Sequence, residues 1–215
     1  RPDIETGREL FVASKSKQDL IDALAEAVER NKHTEIAALL KKGADPNGKS
    51  SGMPVIISLT MGKGEATIKT LKMLLAAGLK PDVKVEFGSA LGFAARWADD
   101  KLLEAYLAGG ANPKAFQSWA MLEAAQAKES SKKKMAGLRR VLEILVQAGV
   151  NVDQPFWSEK LTPLMIAASQ GNVAVVEKLL ELGATKPSEQ PSEDWVVLRD
   201  PDGHPFCLTK AANWG

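Results

Sequence analysis

Residues 162–184 read TPLMIAASQGNVAVVEKLLELGA, and this stretch decides the fold that the whole chain is expected to adopt. Two short apolar segments lie on either side of Gly171-Asn172, and Gly183-Ala184 closes the stretch. The apolar residues of each segment recur at the spacing of one helix face. A glycine after such a segment can take the left-handed conformation that ends a helix. The stretch therefore predicts a helix, a turn, a second helix and a helix stop.

The closing glycine recurs through the chain, each time after a pair of apolar residues. It is found at Gly43, Gly78, Gly110, Gly149 and Gly183, with gaps of 35, 32, 39 and 34 residues. Neither helix of a copy is long enough to be stable alone, whereas stacked copies bury their apolar faces against one another. The pattern predicts an all-α repeat array over residues 20–187. We place its copies at 20–52, 53–87, 88–118, 119–158 and 159–187.

The last copy resembles an ankyrin repeat, whose pattern is roughly TPLHxAAxxGHxxVVxLLLxxGADxN. The matching positions run from Thr162 to Ala184, and Met165 stands where the family has His. The resemblance covers about residues 20 to 187 and is weaker in the second and fourth copies, which carry insertions at 61–67 and 128–136. It implies an ankyrin-type solenoid of helix-turn-helix units and a protein that binds other proteins.

The two ends of such an array need caps, because an open repeat exposes an apolar face. We predict an N-terminal arm and cap over residues 1–19, with 1–15 extended and a capping box at 16–19. Residues 188–215 are predicted to be a capping extension with a β-hairpin around Asp200–Gly203, since Pro and Gly favour a tight turn.

The phrase DPDGHPFCL within that extension is also similar to the closing strands of glyoxalase/bleomycin-resistance-type domains. The likeness covers only a small part of the length that such a domain requires. We therefore interpret the segment as a hairpin that caps the fifth copy, and a small enzyme or metal protein built on it is the less favoured alternative.

The composition gives little indication of catalysis. His33 and His204 match no standard zinc spacing, and Cys207 has no His or Asn arranged around it. With one cysteine the chain cannot form an internal disulfide. We therefore expect no enzyme activity, no cofactor and no metal site.

The charge balance points away from nucleic acid and membranes as partners. The chain has 28 basic and 27 acidic residues, a net charge of +1. The lysine run at 130–134 is interpreted as a solvated loop, with lipid or nucleic-acid binding as the alternative. No apolar run approaches the roughly 20 residues of a membrane span. The cytoplasm and the periplasm both stay open, because a removed signal peptide leaves no trace in this sequence.

In the ankyrin family, partners meet the concave side, and the two residues after the Ala-Ala pair of each first helix face it. Trp97 is the outstanding residue at these positions here, with Arg96 beside it, and exposed Trp and Arg are typical binding hot spots. Phe116, Phe156 and Trp157 lie in the finger segments that precede first helices, where the family pattern has other residues. The alternative is that these aromatics fold back and fill gaps. The candidate partner-binding residues are Met61, Arg96, Trp97, Phe116, Gln126, Phe156, Trp157 and Gln170.

Other large residues are assigned to the interior. Trp119 is expected to pack inward because it replaces the finger threonine, and Ile57, Phe93 and Ile166 align with a buried family position. Phe87, which precedes the third copy, is grouped with the exposed finger aromatics.

The leading hypothesis is a non-enzymatic protein-interaction module, monomeric when free. Its loose repeats and unusual tail favour a bacterial origin. The alternative is an immunity or inhibitor protein that neutralises a bacterial toxin or effector enzyme by tight binding.

Overall fold

The computed structural model describes residues 4–62, 64–86, 88–128, 131–157, 160–185, 195–199 and 205–209. Most of this part of the chain is helical. The helices are α1 (Ile4–Glu29), α2 (His33–Lys41), a 3₁₀ helix η1 (Val55–Met61), α3 (Glu65–Ala76), α4 (Ala90–Arg96), α5 (Asp100–Ala108), α6 (Ala115–Gln126), α7 (Lys132–Gln147), α8 (Pro163–Ser169) and α9 (Val173–Glu181). The strands are β1 (Lys49–Ser50), β2 (Met53–Pro54), β3 (Lys84–Val85), β4 (Gly88–Ser89), β5 (Trp195–Arg199) and β6 (Pro205–Thr209).

In the described part of the chain, the helices follow one another in pairs, and each pair ends at one of the predicted closing glycines, so the predicted helix stops are confirmed. The pairs are α1–α2, η1–α3, α4–α5, α6–α7 and α8–α9. Helices α1 and α6 begin before the predicted starts of their copies, at Ile4 and Ala115. The closing glycines have φ between 84° and 94°. At Gly43, for example, the glycine N–H bonds the carbonyl of Leu40, and the N–H of Ala44 bonds that of Leu39. This pair of bonds is a Schellman motif, and the same two bonds recur at the other four glycines.

The chain divides into two compact units, residues 1–90 with 105–111 (unit one) and residues 91–104 with 112–215 (unit two). In unit one, side-chain amides join the first two copies. Asn31 accepts a hydrogen bond from the Thr70 hydroxyl at 2.7 Å. Asn47 donates to the carbonyl of Gly78 at 3.0 Å and accepts from the N–H of Lys80 at 2.8 Å. These partners are 31 to 39 residues apart, about one copy.

In unit two, similar bonds join the fourth and fifth copies. The buried Asn172 caps α9 by accepting from the Val175 N–H at 3.2 Å, and it donates to the carbonyl of Ala127 at 2.8 Å. The Asp153 carboxylate accepts from the backbone N–H and the hydroxyl of Thr185, at 3.0 and 2.6 Å. Between the helices lies a core of fully buried side chains that includes Leu138, Leu142, Leu145, Leu164 and Leu179.

The N-terminal prediction is wrong where the structure describes it. Helix α1 begins at Ile4, so residues 4–15 are helical rather than extended, and the predicted capping box at 16–19 lies inside the helix. The sequence after Ser16 is rich in good helix formers, and the helix that it forms extends back through Ser16.

The lysine run is also placed differently from the prediction. Lys132–Lys134 form the first turn of α7, and the hydroxyl of Ser131 accepts from the N–H of Lys134 at 3.2 Å as the N-cap. Among the residues assigned to the core, Ile166 is buried, whereas Ile57 and Phe93 are only half-buried.

The predicted tail hairpin is confirmed at the level of the backbone. Strands β5 and β6 pair antiparallel, from Trp195 opposite Thr209 to Arg199 opposite Pro205. The predicted turn at Asp200–Gly203 lies outside the described residues, as do His204 and residues 186–194 and 210–215. None of the helices in the described part of the chain is long and apolar enough to cross a membrane.

Candidate functional site

The candidate site is a line of turn residues in unit two, at the ends of the first helices of three successive copies. We call these residues the turn row: Arg96 and Trp97, Gln126 and Ala127, Ser169 and Gln170. Hydrogen bonds hold the copies together along it. Arg96 bonds Glu123 of the fourth copy, and Asn172 of the fifth copy bonds Ala127. These bonds tie the third copy to the fourth and the fourth to the fifth beside the turn row.

A buried carboxylate fixes the arginine of the turn row. The Arg96 Nε donates to Glu123 Oε2 at 2.6 Å, and the Trp119 Nε1 donates to Glu123 Oε1 at 2.9 Å. The Glu123 side chain is 2% exposed, while that of Arg96 is 46% exposed. Each carboxylate oxygen thus has a donor, which offsets the cost of burying its charge. The guanidinium is thus anchored through Nε, while nearly half of the Arg96 side chain stays exposed.

Two tryptophans of unit two are strongly exposed. Trp97 is 52% exposed and Trp157 is 51% exposed. Among the described residues, the other large apolar residue that is strongly exposed is Met53 of unit one, at 41%. The backbone of Trp157 has a φ of 59°. A positive φ is rare for a bulky residue, because Cβ crowds the backbone there.

The finger segment before Trp119 is the start of α6, and its backbone is kinked out of the right-handed helical conformation. Phe116, Gln117 and Ser118 have φ of 54° to 58° and ψ of 41° to 44°, which is the left-handed helical region. Such residues persist where the surrounding structure holds them, and they concentrate at functional sites. Here the turn leaves Phe116 half-buried and Gln117 exposed while it buries Ser118 and directs Trp119 at Glu123.

The structure separates the predicted site residues into exposed and buried ones. Arg96, Trp97, Trp157 and Gln170 are exposed, and Phe116 and Gln126 are half-buried. Their role in binding stays a prediction. The side chain of Met61, and Phe87 altogether, lie outside the described residues.

The prediction that Phe156 is an exposed contact residue is wrong. Its side chain is 3% exposed. Its N–H and carbonyl pair with the carbonyl and N–H of Leu161 at 2.9 and 3.0 Å, so the finger closes on itself and turns the ring inward. The ring still contacts Trp157, with centroids 6.2 Å apart.

Glu123 is the residue of the site that sequence reasoning missed. It lies between Leu122 and Ala124, which are both buried, and four residues after Trp119. That spacing puts Trp119 and Glu123 on one helix face and is the available signal for their contact. In the described part of the chain, no group of three or more His, Cys, Asp and Glu residues is placed to hold a metal ion.

Comparison with known proteins gives two results of different kinds. No curated protein matches the chain. Among solved structures, an ankyrin repeat domain from Acinetobacter baumannii AYE is similar, with 24% identity and a TM-score of 0.63 over 84% of this chain and 95% of that one. That likeness concerns the fold, and it agrees with the helix pairs described above.

The second result concerns the family. The glyoxalase-like domain family matches residues 90–209, so the likeness extends far beyond the tail phrase that first indicates it. The interpretation of that phrase as an isolated hairpin is therefore too narrow. In its described part, the matched segment consists of helices α4 to α9 and the hairpin β5–β6. Because the match spans more than half of the 215 residues, the chain belongs to the glyoxalase-like domain family.

Proposed function

We propose that the chain is a non-enzymatic module that binds a partner protein through the turn row and the adjoining finger segments of unit two. The observation that carries the proposal is Trp97, 52% exposed and next to the anchored Arg96. Exposed Trp and Arg side chains on a rigid support account for most of the energy in many protein interfaces. The ankyrin-like fold supports the same function, since stacked repeats offer extended binding surfaces.

Membership of the glyoxalase-like family raises catalysis as an alternative, and the buried polar side chains of the matched segment support the non-enzymatic proposal. Glu123 is bonded to Arg96 and Trp119. Asn172 caps α9 and bonds the previous copy. These groups act between helices, and their hydrogen bonds leave little capacity for a substrate.

An affinity pull-down from lysate of the source organism, read by mass spectrometry, tests the proposal. The variants are Trp97→Ala with Trp157→Ala, and Met53→Ala as a control that removes comparable exposed apolar surface from unit one. We expect one strong partner that is captured by the wild type and the control and lost from the double variant, since each hot spot is worth more than about 1 kcal/mol.

Equal thermal unfolding of the variants shows that the fold is intact. A partner retained by the double variant would place binding elsewhere and contradict the proposal. The inhibitor alternative stays a prediction. It requires that the captured partner be an enzyme whose activity disappears on binding.

A further inference from the structure

An apolar docking surface does not need an ion pair beneath it, yet Arg96 of the turn row is paired with the buried Glu123. Removing a carboxylate from water costs free energy that its partner rarely returns in full. Glu123 nevertheless lies buried under Arg96. What the pair does provide is orientation, because Nε is bound at 2.6 Å and the side chain loses rotational freedom before any partner arrives. Preorganisation of this kind lowers the entropic cost of forming a contact.

The charges around Arg96 indicate what it would contact. Within the turn row Arg96 is the charged residue, and Lys128, which follows Ala127, is exposed. Glu123, the acid that bonds Arg96, is buried and also accepts from Trp119. The second-helix face of unit two differs, because Arg140 there bonds Glu104 and Glu143, at 3.2 and 3.1 Å.

We propose that the turn row binds an acidic segment of the partner protein. One Asp or Glu carboxylate of that segment pairs with the terminal nitrogens of Arg96, and an adjacent apolar side chain packs on Trp97. A guanidinium recognises a carboxylate through its planar array of donors, so orientation matters as much as charge. Glu123 and Trp119 are positioning residues. The inference rests on the proposed function, since it specifies the partner of the same surface.

Selection from a library of short random peptides displayed on phage tests this inference. The full chain is immobilised as the target, and selected peptides are then measured against Arg96→Ala, Trp97→Ala and Arg140→Ala. Arg140 is a matched control because its side chain is also 46% exposed and salt-bridged. We expect selected peptides to be enriched in Asp or Glu next to an apolar residue. They should bind Arg96→Ala about tenfold more weakly or worse and Arg140→Ala like the wild type.

The outcomes separate the inference from the proposed function. Peptides without acidic enrichment that still lose affinity for Trp97→Ala would leave the docking surface in place and overturn the acidic partner. Peptides that bind both Arg96→Ala and Trp97→Ala like the wild type would overturn both. Both would also be overturned if the selection enriched no peptide that binds the wild type better than a variant without the Arg96 and Trp97 side chains.

The positioning role has its own readout. A selected peptide is compared with its Asp→Asn form, on the wild type and on Glu123→Gln, which keeps the shape and removes the charge. A merely structural role would weaken both peptides equally. Positioning predicts that the preference for Asp over Asn falls severalfold while the Asn form binds as before. A preference that rises would show that Glu123 only neutralises Arg96, and it would overturn the positioning role.

Discussion

Gly183 illustrates how a single residue ends a copy. Its φ is 94°, and a Cβ added there would meet nothing within 4 Å. A substitution is therefore opposed by backbone strain and not by a clash. The Schellman bonds of Gly183 and Ala184 to Leu180 and Leu179 depend on this conformation.

We predict that Gly183→Ala lowers the free energy of unfolding by about 1 kcal/mol, the cost of the left-handed region for a residue with a Cβ. Gly183→Asn should lose clearly less, because Asn tolerates this region. Urea unfolding measures both as shifts of the midpoint at constant slope. Equal losses for Ala and Asn would show that something other than φ opposes the substitution.

For single residues, the sequence predicts those roles that depend only on neighbouring residues in the chain. A glycine after an apolar pair needs no distant information, so the five helix stops are predictable. The burial of Phe156 and Glu123 depends on contacts that their sequence neighbours do not show: a closed finger loop for Phe156 and a residue of another copy for Glu123. The bond between Phe156 and Leu161 turns an aromatic inward, and Arg96, 27 residues away, bonds the glutamate of an Ala-rich helix.

Helix α7 shows that the apolar pattern of the sequence also fails to predict where a helix begins. Its apolar periodicity is clear around Leu138 and Leu142, both buried, whereas Ser131 and Lys132–Lys134 carry no apolar signal and by themselves predict a loop. The N-cap hydroxyl is what allows the first turn to form. The three lysines oppose it, because the positive end of the helix dipole disfavours cations there.

We predict that Lys132→Glu stabilises the protein by about 0.3–1 kcal/mol, since it replaces a repelled cation with an attracted anion at the start of α7. Lys132→Gln should give a smaller gain. Urea unfolding at low ionic strength measures the order, and the differences should shrink in high salt. No gain for Glu over Gln would mean that the first turn is frayed.

At the scale of the molecule, the sequence shows where each copy ends, but it does not show which side chains join one copy to the next. Within unit two, the second helices α5, α7 and α9 are linked by ion pairs whose partners are 35 to 42 residues apart. Glu104 bonds Arg140, Lys178 bonds Glu143 and Glu181, and Arg139 bonds Glu181. Such pairs follow from the stacking and cannot be selected from a sequence with many charges before the stacking is known.

This network predicts how stability depends on pH. The hydrogen bond from Lys178, then that from Arg140, holds the pKa of Glu143 below its usual value. Arg139 and then Lys178 lower the pKa of Glu181 in the same way. Carboxylates with lowered folded-state pKa values contribute stability above their unfolded pKa and lose it as pH falls through the folded one. The pKa of Lys178 is raised, chiefly by Glu143, so its own contribution persists until strongly alkaline pH.

Lys178→Met should therefore lower stability at neutral pH, since the nearly buried ammonium bonds Glu143 and Glu181, which are charged at that pH, and the variant loses both contacts. The difference from the wild type should shrink as pH falls below about 5, because protonation of the carboxylates removes the ion pairs, and their lowered pKa values place most of the loss below the ordinary glutamate range. Thermal unfolding across this range measures the difference, with Lys69→Met, at an exposed lysine of α3, as the control. A difference that stays constant down to the lowest pH would mean that the Lys178 side chain stabilises by packing and that the ion pairs contribute nothing.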